Sequence, residues 1–285
     1  MDSLFQLARA QVAAEDLAGA RASLQKAVEL DPDRQRPVLR AAQVELELRA
    51  KDYGRAIALA KRYQAELPAS ADLHDLEAAA QQANGDRAAA LAATGEALRI
   101  EPTARRVNAQ AQLLAADGRP KEAVAALQAW VQQHPEDAAN LVALALILQQ
   151  TGEARPAIAA YEQALAKAPE NASVLNNLAV LYQEVGDPRA APTAKRAYDL
   201  AAERPEIVDT YGWILVEQGR VQEGLVLLQQ AFVTSPQHPE IAYHVAVALT
   251  KAKRAGEARP ILERIVREHP GTPFAEKARA LLAAP

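Results

Sequence analysis

Small residues and prolines recur along the chain in a fixed phase. Prolines stand at Pro32, Pro68, Pro102, Pro135, Pro169, Pro236 and Pro270, with gaps of 36, 34, 33, 34, 67 and 34 residues, the 67 being close to two periods. A small residue lies 12 before each of them: Ala20, Ala56, Ala90, Ala123, Ala157, Gly224 and Ala258. A second small or apolar residue lies 24 before: Ala8, Val44, Ala78, Ala111, Ala145, Gly212 and Ala246. In four copies a glycine lies 17 before, at Gly85, Gly118, Gly152 and Gly219. This pattern predicts helical hairpins. Small residues belong where two helices cross, because axes ~8–10 Å apart leave little room for side chains. Glycine supplies the turn, and proline ends the second helix. Pro120, Pro156, Pro192 and Pro260 are expected near or inside the opening turns of second helices, where a missing N–H is tolerated.

The phase divides residues 1–272 into units 1–36, 37–70, 71–103, 104–137, 138–171, 172–204, 205–238 and 239–272. Unit 138–171 keeps it best, with Leu141, Leu144, Ala145, Leu148, Gly152, Ala157, Tyr161, Ala164 and Pro169 all in place. Unit 172–204 departs: Ala202 stands where proline is expected and Pro205 comes late, which predicts an irregular second helix. Residues 273–285 read as one further amphipathic helix that caps the array, with Phe274, Ala278, Leu281 and Leu282 on one face and Glu276, Lys277 and Arg279 on the other. Met1 opens a repeat with no capping segment before it, and Leu4, Phe5 and Leu7 have no earlier repeat to cover their outward side. The chain is therefore expected to be a fragment of a longer protein.

Composition agrees with an all-α fold: the chain is 50% hydrophobic but only 4% aromatic, and Ala, Leu, Glu, Gln and Arg dominate. A net charge of −4 with interspersed signs argues against a nucleic-acid-binding face. No apolar run approaches the ~18 residues that span a bilayer. Cysteine is absent, so no disulfide or thiol chemistry is available. There is no Gly-rich phosphate loop, no H-E-x-x-H and no G-x-S-x-G. The sequence therefore predicts no enzyme, no cofactor and no metal.

With its period of about 34, small–small–Pro phasing and hairpin logic, the chain resembles the tetratricopeptide repeat family. The resemblance implies a right-handed superhelix of about eight helix-turn-helix repeats plus the C-terminal capping helix, whose concave groove takes a protein or peptide. Three strings, "NASVLNNLAVLYQEVGDPRA", "VDTYGWILVEQGRVQEGLVLLQQA" and "PEIAYHVAVALTKAKRAGEARPILE", further resemble the C-terminal part of tetratricopeptide lipoproteins of the PEP-CTERM/exosortase and exopolysaccharide systems. Val180 and Tyr211 depart from that pattern. This narrower resemblance implies a scaffold at the bacterial envelope, periplasmic and attached to the outer membrane through an anchor in the longer parent. A general bacterial adaptor, or an accessory module of an enzyme, stay open as alternatives.

In the repeat family the fifth, sixth and ninth residues of a unit face the groove. In the last three units these are Asn176, Asn177 and Val180; Asp209, Thr210 and Trp213; and Tyr243, His244 and Val247. Straight stacking predicts one row of Asn176, Asp209 and Tyr243 and another of Asn177, Thr210 and His244. The row could grip a peptide or partner helix, since Trp and Tyr are frequent anchors of interfaces. It could equally hold the repeats to one another. The clamp by which co-chaperones of this family grip a carboxylate needs basic residues at these positions. The fifth residues, Phe5, Ala41, Asp75, Asn108, Val142, Asn176, Asp209 and Tyr243, include none. His244 with Asp209 could hold a proton or metal, although a plain polar contact is the simpler reading. His134 and His269 precede closing prolines, His238 lies in a similar loop, and His74 has no evident partner. "DPDR" at 31–34 and "PED" at 135–137 read as turns whose Asp caps the next helix. The run "KAKRAGEAR" at 251–259 reads as a solvated face.

Overall fold

The structure, a computed structural model, describes residues 2–283. Met1, Ala284 and Pro285, on which the readings of the chain start and of the end of the capping helix partly rest, lie outside the described residues. Among the described residues there are seventeen helices and no strand. The chain forms two compact units, divided between Ile147 and Leu148. The first holds α1 (Asp2–Ala13), α2 (Leu17–Glu29), α3 (Pro37–Arg49), α4 (Tyr53–Glu66), α5 (Ala71–Ala83), α6 (Arg87–Ile100), α7 (Ala104–Ala116), α8 (Pro120–Gln133) and most of α9 (Ala138–Gln150). The second holds α10 (Ala154–Lys167), α11 (Ala172–Glu184), α12 (Ala190–Leu200), α13 (Pro205–Glu217), α14 (Val221–Thr234), α15 (Pro239–Lys251), α16 (Ala255–Glu268) and α17 (Pro273–Ala283). From α1 to α8 in the first unit and from α10 to α17 in the second, consecutive helices pack in chain order as a solenoid of antiparallel hairpins.

The turn inside a hairpin follows from one residue with positive φ. At Gly85 (φ 88°), the glycine N–H reaches Gln82 O and the Asp86 N–H reaches Gln81 O. This pair of bonds satisfies the last carbonyls of α5. Asp86 then caps α6 by accepting the Ala89 N–H at 3.0 Å. Asp16 and Asp52 cap α2 and α4 in the same way. Where no glycine is available, Glu15, Lys51 and Lys253 adopt the left-handed conformation instead.

The small positions are the crossings. Ala20, Ala56, Ala90, Ala123 and Ala157 are each 0% exposed, as are Val44, Ala111, Ala145 and Ala246. The tightest approach is in the α13–α14 hairpin. A Cβ on Gly224 would lie 2.4 Å from Gly212 O and 2.6 Å from Val216 Cγ2. Large apolar side chains then close the layers, among them Leu215, Leu228, Val245 and Leu262.

Two arginines are buried in the first unit. On α3, Arg40 pairs with Asp31 at 2.7 Å and Glu66 at 3.0 Å. On α7, Arg106 reaches Glu101 at 2.7 Å, Asp72 at 2.8 Å and Asp75 at 2.9 Å. Arg106 thereby pins α7 to the hairpin before it, and Arg40 ties α3 both to the preceding turn and to α4 of its own hairpin. Asp31 was expected to cap the next helix and does not. It accepts the N–H groups of Gln35 and Arg36 and is buried beneath Arg40, while α3 starts six residues later behind Arg36. The first Pro–Pro gap is the longest single period, at 36, and the extra residues move the helix start out of Asp31's reach. Asp137, by contrast, accepts the Asn140 N–H at 3.1 Å at the head of α9.

Three other sequence expectations meet the structure. The second helix of the departing unit, α12, has 11 residues where α10, α14 and α16 have 14. Pro260 is not in an opening turn: it is the sixth residue of α16, inside the helix. A proline there is tolerated because it removes one helical bond at a largely solvated position. At the other end, Leu7 is 48% exposed, while Phe5 packs against the buried cluster of Ala8, Ala20, Leu24 and Leu46.

Candidate functional site

Four helices of the second unit, α11, α13, α15 and α17, surround a depression of about 470 Å³. Their fifth residues are Asn176, Asp209, Tyr243 and Lys277, and all four line it. Side chains at i, i+3, i+4 and i+7 share one helix face, so the second, fifth, sixth and ninth residues of each helix turn towards the same space. Six of the seven residues singled out from the sequence, Asn176, Asp209, Thr210, Trp213, Tyr243 and His244, line this depression. Asn177 does not. Its side-chain amide donates to the Tyr161 hydroxyl at 3.2 Å, which in turn donates to Gln149 Oε1 at 3.0 Å. It joins α11 to α10 instead.

The two straight rows are not what forms. Asp209 Oδ2 and His244 Nδ1 lie 2.8 Å apart, so the fifth residue of α13 meets the sixth of α15. Thr210 turns back and donates to the Glu206 carbonyl of its own helix at 2.9 Å. Side-chain direction decides this pairing, and residue spacing does not carry it. The pair is buried, with Asp209 6% and His244 8% exposed. The Trp213 indole stacks on the His244 ring, centroids 4.2 Å apart and planes 13° from parallel. Phe274 meets the same imidazole edge-on at 6.4 Å, and the Phe274 and Tyr243 rings lie tilted to one another at 5.9 Å.

Two oxygens at this place lack a partner. Asn176 Oδ1 and Asp209 Oδ1 are buried and, among the described residues, accept no hydrogen bond. A buried acceptor left bare costs ~1–3 kcal/mol, more when it is charged. The pair Asp209–His244 is accordingly half-satisfied: one carboxylate oxygen is held by the imidazole and the other is buried without a donor, on a residue that lines the depression.

The rim adds charge that sequence reasoning passed over. Glu184, Glu206 and Glu240 line the depression, with Lys277 and His238 opposite in sign or potentially so. Glu206 and Glu240 are the second residues of α13 and α15, one turn before Asp209 and Tyr243, so the i, i+3 rule was the available signal. Burial pushes the Glu206 carboxyl up, but its own backbone N–H, Arg204 and His238 outweigh this and leave it below the ordinary value. Burial and the field of Glu217 push the Tyr243 phenol up. Lys277 was placed on the outer face of a cap. It lines the depression because α17 continues the series of first helices, and its Nζ sits 4.9 Å from the Phe274 ring centre. His238, assigned to a loop, stands at the N-cap of α15 on the same rim. His134 instead stacks on Trp130 at 4.0 Å, and the charges of 251–259 are solvated as expected. Among the described residues no three metal-ligating side chains converge, and no helix is long and apolar enough to cross a membrane.

Family models of tetratricopeptide repeats match residues 2–34 and 215–284, and the model of the N-terminal TPR repeats region of Psidin matches 83–205. This is a tetratricopeptide repeat protein. Solved structures agree on the fold. YrrB, described as a TPR protein with an unusual peptide-binding site, is 19% identical over 66% of this chain and 97% of its own, with a TM-score of 0.53. PilF of Pseudomonas aeruginosa is 16% identical over 74% of this chain and 97% of its own, with a TM-score of 0.62. The APC/C hetero-tetramer Cut9–Hcn1 gives 14%, 94% and 53%, also with a TM-score of 0.62. No curated protein matches the chain. The tetratricopeptide repeat fold is in general a scaffold for protein–protein contact.

Proposed function

We propose that this tetratricopeptide repeat protein is a non-enzymatic scaffold that holds a peptide or partner helix in the depression formed by α11, α13, α15 and α17. One observation carries the reading. In a chain that is only 4% aromatic, Trp213, Tyr243 and Phe274 converge on one depression of about 470 Å³. Aromatic side chains in a partly desolvated hollow are the usual anchors of an interface. That the structural relative YrrB carries a peptide-binding site supports the same use here. The cellular setting we propose, assembly or export in an exopolysaccharide or PEP-CTERM envelope system, rests on the order of the three C-terminal strings alone.

The test is capture by the purified chain of polysaccharide-export proteins expressed alongside it. Binding that is lost in the Asp209→Ala/Trp213→Ala double variant, with the helical content retained, is the expected outcome. Capture that survives the double change while the fold is weakened makes the aromatic–polar ladder a structural one. A partner outside polysaccharide export leaves the scaffold and removes the setting.

A further inference from the structure

We propose that the occupant of this depression is recognised through an arginine side chain, whose guanidinium donates to Asn176 Oδ1 and Asp209 Oδ1. The inference rests on the scaffold reading above and names the chemistry of the partner. Its basis is the unpaired pair of acceptors. Asp209 lines the hollow and is 6% exposed; one carboxylate oxygen is bound to His244, and the other is buried and accepts nothing among the described residues. Asn176 Oδ1, on the neighbouring first helix, is buried and bare as well. Among the described residues no donor bonds either oxygen.

Charge selects among donors. The carboxylates on the depression are Asp209, Glu184, Glu206 and Glu240. Glu206 is engaged by Arg204 at 2.7 Å, whereas Glu184 and Glu240 make no ion pair among the described residues. Lys277 is the one lysine or arginine of the lining, and its ammonium is turned over Phe274 and Tyr243, at 4.9 and 5.9 Å from the ring centres. The hollow thus has an excess of negative charge over a buried acceptor pair, which favours a cation with several N–H groups. A guanidinium presents five donors in a planar fork and can serve two acceptors on different helices, while an ammonium is a more strongly hydrated point charge. The aromatic walls favour the same flat, weakly hydrated group. An anionic peptide end is disfavoured by the same charges.

The experiment starts from an unbiased library of displayed random peptides, selected on the intact chain. Binding is then read on the Trp213 indole N–H signal in the Trp130→Phe background, which leaves a single tryptophan. Selected peptides are expected to share an arginine. Replacing it by citrulline, its uncharged isostere, should weaken binding about tenfold or more, and lysine should be intermediate. Asp209→Asn keeps the shape and the contact to His244 but removes the charge, and should abolish the preference for arginine over citrulline. Should Asp209→Asn fail to fold, Asn176→Ala carries the same comparison, because its oxygen bonds nothing among the described residues. Peptides that shift Trp213 yet lack a basic residue, or bind equally with citrulline, overturn the arginine and leave the peptide-binding depression standing. No selected peptide shifting Trp213 overturns both.

Discussion

At the scale of single residues, glycine has opposite meanings in this chain. Gly224 is where a backbone crosses another: a Cβ there would stand 2.4 Å from Gly212 O, backbone that cannot swing aside. Gly95, in the middle of α6, meets nothing within 4 Å. Gly224→Ala should therefore destabilise by ~1–3 kcal/mol through overpacking. Gly95→Ala should stabilise by ~0.5–1 kcal/mol, since alanine loses less entropy in a helix. Urea unfolding of the two variants checks both signs. Equal effects would mean that helix propensity alone governs these sites. The crossing at Gly212 and Gly224 was legible in the sequence because Gly212 repeats in phase with five alanines and Gly224 with six. The Asp209–His244 contact was legible only as a neighbourhood. Spacing said which helices carry the two residues, but the side-chain directions that join a fifth residue to a sixth are set by packing.

At the scale of elements, buried charged residues that the sequence reading did not single out hold helices together. Arg106 is buried and spans α5, α7 and the segment between α6 and α7. Two of its three acids, Asp72 and Glu101, are largely exposed, with side chains 74% and 64% accessible. Arg106→Met should consequently leave those acids hydrated rather than stranded. The expected loss is ~1–3 kcal/mol, the worth of hydrogen bonds to charged groups, rather than the ~3–5 kcal/mol of a broken buried pair. Thermal unfolding of the variant measures it, and a loss in the higher range would show that the carboxylates do not rehydrate. Such arginines escaped the sequence because a charge at the start of a helix looks the same whether it meets water or a partner.

Asp137 allows a pH test of a single junction. Burial pushes its carboxyl up, but hydrogen bonds from the Asn140 N–H, the Trp130 indole at 2.8 Å and the Asn140 side chain prevail, so it lies below the ordinary 3.8. A folded-state value below the unfolded one gives stability that is present above 3.8 and is lost as pH falls through the lower, folded value. The wild-type chain should lose this contribution on acidification below about pH 4. Asp137→Asn should be less stable at pH 7 and show a shallower acid limb. A variant whose pH profile runs parallel to wild type would remove Asp137 as the source. The sequence identified Asp137 as a cap from its place in the turn, but the indole bond from Trp130 depends on how α8 approaches α9 and was not legible.

At the scale of the whole molecule, the fold class was the most legible feature, since period, small residues and turn glycines all name the same hairpin. Its energetic consequence is locality. In a repeat array each hairpin is stabilised by itself and by the ones beside it, with no shared centre. In the second unit α13 packs against α11, α12, α14 and α15. Damage at the Gly212–Gly224 crossing should spread along that series and fade. Hydrogen exchange of Gly224→Ala is expected to show lost protection in α12 to α15, while the amides of α2 to α6 keep their wild-type rates. The depression gives the same experiment a functional side, because Asp209, Trp213, Tyr243 and His244 stand on the helices that loosen. A variant that frays α13 without unfolding the chain should lose peptide binding before it loses overall helicity. Uniform loss of protection across all helices would instead make the chain one cooperative block, and binding and helicity would then fall together.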